Sequence, residues 1–106
     1  MKELLVQGDV FLVRIDRLPG KAQALKPTPR GWVLAEGEHT GHAHVIKEMD
    51  SAELLTENDK IFLKVNRITY LTHEEHMAIE LEPGIYEVGR VREYDPFEEA
   101  ARRVED

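Results

Sequence analysis

The stretch "SAELLTENDKIFLKVN", residues 51–66, decides the fold. Leu54-Leu55 and Ile61-Phe62-Leu63 stand on either side of Glu57-Asn58-Asp59-Lys60. Asn and Asp hydrogen-bond their own backbone and tolerate a tight turn, so the stretch reads as two strands joined in a hairpin. On its N-terminal side, "DVFLVRI" (9–15) is apolar on both parities: Val10 and Leu12 point one way, Phe11, Val13 and Ile15 the other. Such a strand expects cover on both faces and a central place in a sheet. "MKELLVQGDVFLVRID" has charges within its first apolar run and no small-residue cleavage pattern, and reads as a first strand rather than a signal peptide. Between these segments, "LPGKAQALKPTPRG" holds three prolines and two glycines, and proline lacks the amide hydrogen a ladder needs. Residues 17–30 are therefore expected to form a long exposed loop. "WVLAE" (32–36) and "HVIKE" (44–48) resume the strand pattern.

On the C-terminal side, Ile68 and Tyr70, then Met77, Ile79 and Leu81, then Tyr86 and Val88 alternate. Pro83-Gly84 is the pairing a type II turn requires. "DPFEEAARRVED" (95–106) is punctuated as a short helix or an extended tail, with Asp95 as cap, Pro96 at the first helical position and Arg102 and Arg103 near the negative end of the dipole. The expectation is one mainly antiparallel all-β domain over 1–106, a small barrel or sandwich. No internal repeat or low-complexity segment interrupts it.

Fourteen basic against 21 acidic residues give a net charge of −7, which repels a phosphate backbone or an anionic membrane surface. Nucleic acid and membrane partners are not expected. The locally basic Arg17, Lys21, Lys26 and Arg30 read as a solvated loop. The absence of cysteine removes disulfides, thiolate catalysis and zinc–sulfur sites together. No apolar run approaches the ~20 residues that span a bilayer, so a cytoplasmic location is the expectation.

Chemistry concentrates in the five histidines. "GEHTGHAHVIKE" (37–48) carries His39, His42 and His44, and "THEEHMAIEL" (72–81) carries His73 and His76. Residues two apart on a strand share a face, so His42 and His44 would present their rings to one volume, with Glu48 on the same parity. His39 joins them only if the chain bends near Gly41. His73 and His76 share a face in one helical turn, and Thr72 with Glu75 has the form of a capping box. Nitrogen and carboxylate ligation of this kind suits a divalent transition metal, Zn, Mn, Fe, Ni or Cu, without selecting among them. Glu74 and Glu75 are candidates for a general base beside it. No HExxH, phosphate-binding loop, dinucleotide fingerprint or nucleophile elbow is present, so enzymatic activity stays open.

"HAHVIKE", with Gly37 upstream, resembles the first metal-binding motif of cupins, small β-barrels in which two histidines, a glutamate and a further histidine hold a metal. That resemblance implies His42, His44 and Glu48 as ligands. It departs from the cupin pattern at the second motif: "EPG" (82–84) follows His73 and His76 instead of preceding the last histidine. The glycine upstream is also one residue closer. Over most of its length the chain resembles small uncharacterised bacterial and phage-associated proteins that share a Gly-Glu-x-Thr-Gly-His-Ala-His segment and a His-Glu-Glu-His segment.

Two readings follow. In the first, the chain is a small metal-binding β-barrel with His42, His44 and one or both of His73 and His76 as ligands. In the second, it is a non-catalytic, self-associating structural or interaction protein, of phage or mobile-element origin. There the histidines shape turns, and Tyr86, Arg90, Arg92, Tyr94 and Phe97 suit the interface of a homo-oligomer. The first requires the two histidine clusters to meet; the second leaves them apart or at a subunit contact.

Overall fold

The computed structural model describes residues 3–37 and 41–91. Ten strands form: β1 (Leu4–Gln7), β2 (Val10–Ile15), β3 (Gln23–Ala24), β4 (Trp32–Glu36), β5 (Ala43–Ile46), β6 (Ala52–Glu57), β7 (Lys60–Val65), β8 (Thr69–Leu71), β9 (Ile79–Leu81) and β10 (Gly84–Arg90). Met49–Ser51 make a single 3₁₀ turn. All pairings are antiparallel.

Six strands build one sheet in the order β1-β2-β10-β7-β6-β3; β4-β5 and β8-β9 are two-stranded ribbons. Val45 and Thr72 join the ribbons through a pair of backbone hydrogen bonds of 2.9 and 2.8 Å, and the Thr72 hydroxyl adds a third to the Val45 carbonyl. The sheets do not close into a barrel. The class expected from the sequence is all-β, and all-β is what forms, but barrel closure does not. Among the described residues both margins of the six-stranded sheet stay open, one ending on the two-residue β3 and the other on β1.

One core lies between the large sheet and the ribbons. Val10 and Leu12 of β2, Leu54 of β6, Leu63 and Val65 of β7 and Tyr86 and Val88 of β10 face Trp32 and Leu34 of β4, Ile46 of β5, Leu71 of β8 and Leu81 of β9. Each fully buried aliphatic side chain of this kind contributes about 1.5–3 kcal/mol. Two polar atoms carried into the core find backbone partners: Trp32 Nε1 donates to the Met49 carbonyl and the Tyr86 hydroxyl to that of Glu82. Tyr86 is therefore core, not interface.

The 51–66 hairpin forms as read, with Glu57 opposite Lys60. Asn58 and Asp59 take φ of 51° and 65°, the pair of left-handed residues that a two-residue turn of right-twisted strands demands. The N-terminal stretch folds into two strands rather than one: Gly8 at φ 59° opens a turn that lays Gln7 opposite Val10. Consequently β1 is an edge, and Leu4 and Val6 are 60% and 53% exposed. β2 is paired on both sides. The 17–30 stretch is largely exposed, with β3 borrowed from its middle.

Three local expectations are corrected. In β8 it is Thr69 and Leu71 that are buried while Ile68 and Tyr70 face out: Leu71 joins the core, and on the same parity the Thr69 hydroxyl donates at 2.8 Å to that of Ser51, whose own hydrogen goes to the Glu48 carbonyl. Met77 is 89% exposed. Pro83-Gly84 is not a type II turn: Gly84 sits at φ 155° and starts β10, turning the chain from the ribbon into the large sheet. Residues 95–106 lie outside the described residues, as do Arg92, Tyr94 and Phe97. No helix among the described residues is long and apolar enough to cross a membrane.

Candidate metal centre

Three pieces of chain far apart in sequence meet at one end of the two layers: the Gly8–Asp9 turn, the start of β5, and the loop between β8 and β9. The Val45–Thr72 bridge sets the last two side by side, which carries His73 to within ring contact of His42 and His44. The β8–β9 loop is a bend and not a helical turn. Thr72 spends its hydroxyl on Val45 instead of capping Glu75, and the Glu75 amide donates to His73 Nδ1 at 3.0 Å. The bend still places His73 and His76 on one side, with ring centroids 4.6 Å apart.

His73 is the hub. Its centroid lies 5.7 Å from that of His42, 4.4 Å from that of His44 and 4.6 Å from that of His76, while His44 and His76 are 6.1 Å apart. Rings whose nitrogens share one tetrahedral ion at ~2.0–2.1 Å have centroids about 5 Å apart, and these four of the six ring pairs lie on either side of that value. The four rings line a cleft of about 270 Å³ together with Asp9 and Glu75. On the far side of His73 a second cleft of about 320 Å³ opens between Arg30 and Lys47.

His44 is 1% exposed, yet both of its nitrogens are engaged. Nδ1 meets Gln7 Oε1 at 2.9 Å and Nε2 meets Asp9 Oδ1 at 3.3 Å. Gln7, itself buried, donates its amide hydrogens to the carbonyls of Leu71 and Met77, both at 2.9 Å. Burial, and after it the charge of His73, pushes the His44 ring below the ordinary histidine range, with Asp9 pulling the other way. A buried ring of this kind favours the neutral form, which is the form that binds metals. Burial would raise the Asp9 carboxyl, but the hydrogen bond and charge of Arg90, aided by His44, outweigh it and hold the group low. Arg90 donates to Asp9 Oδ2 at 2.8 Å and to the Glu36 carbonyl at 3.1 Å.

The glutamates divide. Glu48 leaves the site: β5 ends at Ile46, the chain turns into the 3₁₀ segment, and the carboxylate accepts from Arg67 at 2.9 Å, so strand parity no longer governs where it points. Ligand atoms of Glu74, His42 and His73 come within 4.8 Å of one another. Both Glu74 oxygens are nonetheless in use, one by the Ala43 amide at 2.9 Å and one by Arg30 at 3.0 Å. The Ala43 amide is the main reason its carboxyl lies below the ordinary range. We read Glu74 as a structural brace on this ground, despite its nearness. Glu75 reaches to 3.6 Å from His42 Nδ1 and is the better placed of the two base candidates. His39 lies outside the described residues.

Gln7 and Asp9 were invisible to spacing arguments. The one local hint is that Gln7 interrupts the inward parity of an otherwise apolar strand just before a glycine turn, where an unexplained buried amide calls for partners.

Residues 6–91 match a family described as a domain of unknown function, DUF8820. The chain belongs to the DUF8820 family. The matched span runs from just before Gln7 to just past Arg90, so every site residue in the described structure falls inside the DUF8820 domain. No curated protein and no solved structure matches the chain.

Proposed function

We propose that this DUF8820 domain binds one divalent transition-metal ion, with His73 at the centre of the ligand set and His42, His44 and His76 around it. The observation that supports the reading best is the convergence of four imidazoles from two segments on one cleft, with four of their six pairs at ring spacings of 4.4–6.1 Å. Without a shared cation, four rings this close have to reconcile their N–H groups and lone pairs with one another in a partly buried space. A donor set rich in imidazole favours Zn, Cu, Ni or Fe over Mn, which prefers oxygen. Retention of the ion is the function proposed; Glu75 is the side chain available should a bound water need a base.

Elemental analysis of protein purified without a polyhistidine tag tests the reading. About one equivalent of metal is expected in the wild type, or after incubation with Zn²⁺ and desalting, and little in His73→Ala. Wild-type protein that retains none of the five metals after incubation would sink it.

A further inference from the structure

Asp9 stands beside the histidine cluster, and Gln7 fixes what His44 presents to it. Both Gln7 amide hydrogens go to backbone carbonyls, so the atom facing His44 Nδ1 is the carbonyl oxygen Oε1. A carbonyl oxygen only accepts, which puts the ring hydrogen on Nδ1. In the neutral ring Nε2 is then a lone pair, and 3.3 Å away it meets Asp9 Oδ1, another acceptor. Two acceptors hold that arrangement through a cation between them, either a proton on Nε2 or a metal ion. The distance lies closer to the second. A charge-assisted N–H···O⁻ bond runs about 2.7–2.9 Å, whereas two atoms each ~2.0–2.1 Å from a tetrahedral ion lie about 3.3–3.4 Å apart.

We infer that His44 Nε2 and Asp9 Oδ1 are ligands of the same metal ion. The inference rests on the metal-binding reading above and adds a carboxylate to it. Gln7 acts as a positioning residue for the ring. Arg90 positions the carboxylate, gripping Oδ2 and the Glu36 carbonyl so that Oδ1 is turned toward His44. Orienting partners of this kind are what metal-bound histidines and carboxylates require, and here they come from the first and last strands of the described fold. With Asp9 included, the donor set carries one negative charge against the two positive charges of the ion. That mixed nitrogen and oxygen set suits Zn²⁺, and Co²⁺ as its spectroscopic substitute.

The test uses the full-length protein with Zn²⁺ and Co²⁺. Competition against a chromophoric chelator is expected to show Zn²⁺ affinity at least ten-fold lower in Asp9→Asn. At saturating Co²⁺ the visible absorption of that variant should differ from wild type, a change that a merely structural role for Asp9 would not produce. In Zn²⁺-loaded wild type, ¹⁵N spectra should report His44 protonated at Nδ1 and metallated at Nε2, which decides the matter even if Asp9→Asn fails to fold. Wild-type affinity with an unchanged cobalt spectrum in Asp9→Asn, or His44 bound through Nδ1 or not bound, overturns the inference while leaving metal binding standing. A wild type that takes up neither ion overturns both.

Discussion

At His44 a ring cut off from water is held at both nitrogens by oxygen atoms, and this makes the residue sensitive to acid. Burial and the neighbouring His73 hold its proton affinity below that of an unfolded histidine. Once the pH falls below about 6.5 the unfolded chain therefore binds more protons than the folded one, and stability drops as acid is added. We expect the urea midpoint of metal-free protein to decline between pH 7.5 and pH 5.5, and the decline to be shallower in His44→Gln. Asp9, whose carboxyl is held low, adds its own loss only as the pH falls below about 4. The histidines were legible in the sequence because two-residue spacing on a strand is a local property. Gln7 and Asp9 were not, since their partner lies 37 and 35 residues away and no pattern within one segment encodes that meeting.

Among the elements, the two tight turns bear opposite relations to their residues. Asp59 occupies a left-handed position at φ 65° that glycine fills without steric cost. Asp59→Gly is expected to raise stability by a few tenths to about 1 kcal/mol, seen as a higher thermal midpoint, because relief of backbone strain exceeds the added freedom of the unfolded chain. Gly8, at φ 59°, has no such latitude: a Cβ there would stand 2.5 Å from His76 Nε2. Gly8→Ala should cost about 1–2 kcal/mol in chemical denaturation and lower metal uptake, through backbone strain and displacement of the His76 ring. The β6–β7 hairpin could be read from sequence because its turn chemistry is local. The β8 parity could not, since the core position of Leu71 and the meeting of Thr69 with Ser51, 18 residues away, are tertiary contacts that set Ile68 and Tyr70 on the outer face. The Thr72–Glu75 box failed for a related reason, Thr72 being claimed by the bridge to Val45.

For the whole molecule, the metal would tie the β1–β2 turn to both ribbons, so occupancy should appear as global stability. Zn²⁺ at a hundred times its dissociation constant is expected to add about 2.7 kcal/mol to the unfolding free energy, reversibly by chelator, and to add far less in His73→Ala. Period-two patterning gave the class of the fold and most of its strands, missing β3 and the split between β1 and β2, but not their order, and closure depends on order: an open sheet with β1 and β3 at its margins satisfies the same alternation as a barrel. That order has a chronological meaning. β10 comes after every other described strand in sequence, yet it is inserted between β2 and β7 in the middle of the sheet. During synthesis the β1–β2 and β6–β7 hairpins can form early, but they remain two separate pieces until residues 84–90 arrive to join them. Arg90, which orients Asp9, is the final residue of that strand. The histidine cleft is thus among the last parts of the described fold to be completed, and a chain released before that point would carry its imidazoles without the frame that aims them.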